Sequence, residues 1–114
     1  MTTLLICNDL FFQTKIETTA TLLGKQLRTV PDLDALKQAL KQEKDLQLII
    51  WDLNAGLNLV DTTALIKKHT KAKIVSYLSH VQTELIKKAK DAGIDEVMPR
   101  SAFTIKLPDI LGKS

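Results

Sequence analysis

Five short apolar runs alternate with five longer stretches of helical spacing along this chain, and that alternation limits the fold more than any other feature. "TLLICN" at residues 3 to 8 is the first run. The stretch after it places Ile16, Ala20 and Leu23 at helical intervals until Gly24 stops it. "KQLRTV" is the second run, closed by Pro31, and "DLDALKQALKQEK" follows with Leu33, Leu36 and Leu40 on one face and Asp32 or Asp34 at its start. "LQLIIWDL" is apolar almost throughout rather than alternating, as expected of a parallel strand covered on both faces. Asn58 or Asp61 opens the next helical stretch, "LVDTTALIKKHT", which turns Leu65 and Ile66 inward and carries lysines at its end, where the helix dipole favours them. "KIVSYLS", then "QTELIKKAKDAG" closed by Gly93, then "DEVMPR" complete the series.

Strands that alternate with helices through short connections require right-handed crossovers and a parallel sheet with helices on both faces. The predicted fold is therefore α/β: a flavodoxin-like, doubly wound, five-stranded parallel sheet forming one domain over residues 1–114. The tail "SAFTIKLPDILGKS" contains Pro108 and Gly112, which predicts a shortened C-terminal helix of about one or two turns. With 114 residues, of which 45% are hydrophobic, the chain has room for one sizeable core.

Composition narrows the function classes. No apolar stretch approaches the roughly 18 residues that span a bilayer, and "MTTLLICND" has no secretory pattern, so a cytoplasmic protein is expected. Cys7 is the single cysteine and, with only His69 and His80 beside it, gives neither a disulfide nor a zinc-type cluster; among apolar neighbours it reads as a core residue. The net charge of +3 rests on helical lysines such as Lys37, Lys41, Lys67, Lys68, Lys87, Lys88 and Lys90. Without interleaved aromatics and with few arginines, this reads as a solvated face rather than a nucleic-acid surface. No phosphate-cradling glycine loop and no serine–histidine–acid set is present, which argues against a nucleotide-binding or hydrolytic enzyme.

In open parallel sheets, functional groups gather at the carboxyl ends of the strands. The first strand here ends in Asn8 and Asp9, the third in Asp52, the fourth in Ser79 and the fifth in Arg100. Two carboxylates, a hydroxyl and a cation would thus meet at one pocket.

Over residues 3 to 104 this arrangement resembles the receiver domain of two-component response regulators. The resemblance implies a signalling module rather than an enzyme, with Asp52 as phosphoacceptor and Mg²⁺ held by Asp9, Asp52 and the carbonyl of Asn54, with Asn8 as a weak contributor. Ser79 would hydrogen-bond the phosphoryl group, with Ser76 as the competing alignment, and Arg100 would pair with it. A histidine kinase or another signalling protein would be the partner, and output would pass through protein contacts, a homodimer or a longer parent chain, since no effector segment is recognised.

The sequence also departs from that pattern. Asn8 replaces one of two usual acids, which lowers the charge available to a metal. Arg100 in "MPRSAF" stands where lysine followed by proline is usual, and a guanidinium fork is not a point charge. Val97 occupies the fifth-strand position usually held by an aromatic, and the usual loop glycine is matched only loosely by Gly56. Two readings of the pocket follow: phosphorylation of Asp52, or a permanent Asp52–Arg100 ion pair in a pseudo-receiver that binds its partner constitutively. Of the remaining polar and aromatic residues, Trp51 is expected in the core and His80 at the pocket rim. Tyr77 is also expected in the core unless its hydroxyl reaches the surface of the fourth strand and fourth helix.

Overall fold

The computed structural model describes residues 1–79 and 82–112. Five strands alternate with five helices: β1 Thr2–Ile6, α1 Leu10–Leu22, β2 Gln26–Val30, α2 Leu33–Gln42, β3 Leu46–Asp52, α3 Leu59–His69, β4 Lys73–Leu78, α4 Thr83–Ala92, β5 Glu96–Pro99 and α5 Arg100–Gly112. All four strand pairings are parallel, in the order β2-β1-β3-β4-β5, so the doubly wound sheet expected from the alternation is the fold observed. No helix among the described residues is long and apolar enough to cross a membrane.

Strand residues alternate between two cores, as the two-residue period of a pleated strand requires. Leu5, Cys7, Leu48, Ile50, Val75, Tyr77 and Met98 pack against α1 and α5, through Phe12, Ile16, Ala20, Phe103, Leu107 and Leu111. Leu4, Ile6, Val30, Ile49, Trp51 and Ile74 pack against α2, α3 and α4, through Leu36, Ala39, Leu40, Ile66 and Ala89. Trp51 is thus a core residue. Leu23 and Leu33, read from the sequence as inward-facing, lie at a helix end and a helix start and stay partly exposed; Phe12 takes the inward position on α1 instead.

Each early helix begins at a side chain that accepts from its first turn: Asp9 for α1, Asp32 for α2 and Asn58 for α3. The C-terminal helix corrects the expectation of a shortened element. α5 runs for 13 residues and carries Pro108 inside it. Proline removes one hydrogen bond to a carbonyl four residues back, but Pro108 lies on the solvent side, where water can satisfy that carbonyl. Meanwhile Phe103, Leu107 and Leu111 recur on the buried face and anchor three turns against the sheet. Burial of three large side chains, at roughly 1.5–3 kcal/mol each, is enough to carry the helix past one lost bond.

Gly93 ends α4 in the left-handed region at φ 101°, and a Cβ there would stand 2.8 Å from Lys67 Cε of α3. Gly24, at φ 70°, has open space around it. The exposed end of Lys67 can swing aside, but φ 101° lies further from the left-handed well near +57° than φ 70° does, so Gly93→Ala should lose about 1–3 kcal/mol of unfolding free energy, more than Gly24→Ala, in urea titrations of the two variants.

Candidate functional site at the carboxyl ends of the strands

Strand parity assembles the site. Asp52 continues the series Leu48, Ile50 that faces α1 and α5, and it closes β3 opposite Tyr77 of β4. Asp9 follows Cys7 at the same parity and also caps α1, its Oδ1 accepting from the Phe11 and Phe12 amides at 3.1 and 3.4 Å. Arg100 follows Met98; it belongs to the first turn of α5 rather than to β5, which ends at Pro99. The competing serine is excluded from this side by the same rule. Ser76 has the opposite parity, is fully buried, and donates its hydroxyl to the Glu96 carbonyl at 3.0 Å.

Arg100 Nη2 lies between the two carboxylates, 3.3 Å from Asp9 Oδ2 and 3.9 Å from Asp52 Oδ2. Its guanidinium rests over the Phe12 ring at 4.5 Å from the centroid, with the Tyr77 ring at 5.8 Å. Phe12, Tyr77 and Phe103 form a contiguous aromatic floor, with centroid separations of 4.6 to 5.9 Å. Arg100 Nε is buried without a hydrogen-bond acceptor. A buried donor left unmatched costs about 1–3 kcal/mol, so this nitrogen would gain from an added anionic oxygen.

Asp52 is only 2% exposed. Its Oδ1 accepts from the Asn54 amide at 2.9 Å, and the Cys7 thiol approaches Oδ2 at 4.0 Å. Burial raises the Asp52 pKa above the ordinary aspartate value; the Asn54 amide and Arg100 oppose that rise, and the Asp9 charge adds to it. Tyr77 donates its hydroxyl to Cys7 Sγ at 3.4 Å, and burial raises the pKa of both groups, so both are neutral at physiological pH. The Tyr77 hydroxyl therefore points into the core beside the pocket and does not reach the β4–α4 surface.

Around the rim, the Asn54 side-chain oxygen accepts from the Ser79 amide at 2.8 Å and the Ser79 hydroxyl at 2.9 Å. Asn8 donates from Nδ2 to the Ala55 carbonyl at 3.1 Å, which ties the end of β1 to the β3–α3 loop. His80 lies outside the described residues. The structure thus brings Asn8, Asp9, Asp52, Asn54, Ser79 and Arg100 to one end of the sheet. Phe12 as the seat of the guanidinium carries no signal in the sequence, and the Tyr77–Cys7 link joins two residues that read there as ordinary core.

Among the described residues, no three His, Cys, Asp or Glu side chains cluster as a metal site. The candidate donors for a hard cation are two carboxylates, Asp9 and Asp52; the Asn54 peptide N–H beside them donates to Asp52 Oδ1. Both carboxylates direct an oxygen at the same Arg100 nitrogen, so the set fits a hard divalent cation that displaces that nitrogen. The amide group of Asn8 adds no charge to the set, and its Nδ2 is already committed to the loop.

No family model matches this sequence, and no curated protein matches it. Solved structures do match its shape. A response regulator from Thermotoga maritima superposes with a TM-score of 0.81 at 14% identity, covering 99% of this chain and 98% of that one. A response regulator protein from Burkholderia pseudomallei, with a phosphorylated aspartic acid, calcium ion and citrate, gives 0.81 at 19% identity, covering 96% of this chain and 65% of that one. The beryllofluoride-activated NtrC4 receiver domain dimer gives 0.79 at 14% identity, covering 98% and 97%. The fold of this chain is the receiver fold of response regulators.

Because the Asp52 pKa is raised on folding, the native state holds more protons there than the unfolded chain does. That penalty is absent below the unfolded value near 3.8, grows as pH rises, and is complete above the folded value. Asp52→Asn should therefore be more stable than wild type at pH 7, by on the order of 1 kcal/mol, and no more stable at pH 3, as read by denaturant unfolding at the two pH values.

Proposed function

We propose that this chain is a cytoplasmic signalling module of the receiver type rather than an enzyme, with Asp52 as its phosphoacceptor and protein contacts as its output. The observation that carries the reading is the state of Arg100. It stands beside Asp52 at 3.9 Å without a close hydrogen bond to it, and its buried Nε has no acceptor. A phosphoryl group on Asp52 would bring three strong acceptor oxygens to that unmatched donor.

In the transfer, an Asp52 carboxylate oxygen attacks phosphorus as the P–N bond to a histidine of the donor kinase breaks, and the leaving imidazole takes a proton. Asn54 holds Asp52 Oδ1 through its amide, which leaves Oδ2, the oxygen that faces Arg100, as the attacking one. Arg100 then pairs with the phosphoryl oxygens, and Ser79 supplies a hydroxyl. Mg²⁺ bound by Asp9, Asp52 and the Asn54 carbonyl, with Asn8 a weak contributor, would neutralise the crowded negative charge. The Burkholderia pseudomallei neighbour, with its phosphorylated aspartic acid and calcium ion, supports such chemistry on this fold. The NtrC4 receiver dimer makes a homodimer one form that the output contact can take.

A second reading has its own support. Asp9 and Asp52 already share one guanidinium, and Asp52 is almost wholly buried. On that reading the ion pair is permanent, and the domain binds its partner without phosphoryl chemistry.

Mg²⁺ and beryllofluoride titrated together into ¹⁵N-labelled protein separate the two. Phosphoacceptor chemistry requires saturable shifts at Asn54, Ser79 and Arg100 that are absent in Asp52→Asn. Arg100→Ala should weaken the response about tenfold, in line with losing one charge-assisted contact. A wild-type protein as silent as Asp52→Asn would leave the constitutive module.

A further inference from the structure

Asn54 makes more contacts than its place two residues beyond Asp52 requires. Its Oδ1 accepts from both the amide and the hydroxyl of Ser79, and its Nδ2 donates to Gln82 Oε1 at 3.3 Å. The orientation is forced. A peptide N–H can only donate, so the Asn54 oxygen must face Ser79 and its nitrogen must face Gln82, which answers with oxygen.

Gln82 holds the N-cap position of α4 but makes no cap hydrogen bond there, unlike Asp9, Asp32 and Asn58 at the starts of α1, α2 and α3. The side chain that opens α4 is thus spent on Asn54 rather than on its own helix. α4 is also lightly anchored, with Ala89 its one buried residue. One amide therefore joins the turn after β3 to the residue after β4 and to the first residue before α4.

The Ser79 hydroxyl has a single proton to give. While Asn54 receives it, no group on Asp52 can. We infer that Asn54 is a positioning residue that latches Ser79 and the start of α4 together, so that delivery of the Ser79 hydroxyl to a group on Asp52 and loosening of α4 are one event. The latch stands on the contacts described; its coupling to Asp52 rests on the function proposed above.

Hydrogen exchange on the full chain tests the latch, read at Ile86, whose amide donates to the Gln82 carbonyl at 2.9 Å, and at Lys87 and Lys88 after it. Asn54→Ala and Gln82→Ala should each speed exchange there, by up to about tenfold for hydrogen bonds of ordinary strength, with the sheet amides unchanged. The double variant should exchange no faster than Asn54→Ala alone, because both substitutions break the same link. Unchanged α4 exchange in both single variants, or effects that simply add, would overturn the latch. Asn54→Ala should also lower the Mg²⁺–beryllofluoride midpoint severalfold, since Ser79 no longer has to leave a partner; a raised midpoint would refute the coupling. If wild type ignores beryllofluoride while the exchange pattern holds, the latch stands and the phosphoacceptor reading alone falls.

Discussion

The contact on which the strand-end site depends is the one between Arg100 and its two carboxylates. Asp52 closes a strand that is buried on both sides, where an unpaired carboxylate would cost several kcal/mol. Arg100 offsets that cost from the first turn of α5, and Asp9 holds Arg100 in place while capping α1. Three elements that are remote in sequence, the starts of α1 and α5 and the end of β3, therefore meet through one cation. The Phe12 ring beneath the guanidinium keeps it in a partly dry setting, where the pairing is stronger than between exposed side chains.

This arrangement explains why the two departures from the usual receiver pattern belong together. A lysine brings a single charged point, whereas the fork of Arg100 can face both carboxylates and lie flat on an aromatic ring. Asn8 carries no charge, and its side-chain nitrogen fastens the β3–α3 loop. The pocket holds less negative charge than two acids and a third would give it, and it carries its own counter-cation.

Much of this was legible in the sequence because its causes are local. The order of strands and helices followed from apolar runs and cap residues, and the gathering of Asn8, Asp9, Asp52, Ser79 and Arg100 at one end of the sheet followed from where those runs stop. The length of α5 was not legible, because Pro108 and Gly112 are local breakers and the burial of Phe103, Leu107 and Leu111 that overrides them is tertiary. Placing Ser79 over Ser76 needed the exact end of β4, which parity settles only once the sheet is known. The Asn54–Ser79–Gln82 connection was invisible for a similar reason: amide side chains carry no sequence signal for the partner they choose.

The hydrogen bond from Tyr77 to Cys7 has a bearing on how this protein can be observed. The thiol is fully enclosed, and burial keeps it protonated, so alkylating reagents cannot attack it in the closed protein. It is also the chain's sole thiol and lies directly below Asp52. The speed at which Cys7 becomes labelled is therefore a clock for the opening of the sheet beneath the pocket, with no introduced cysteine and no second thiol to confuse the count.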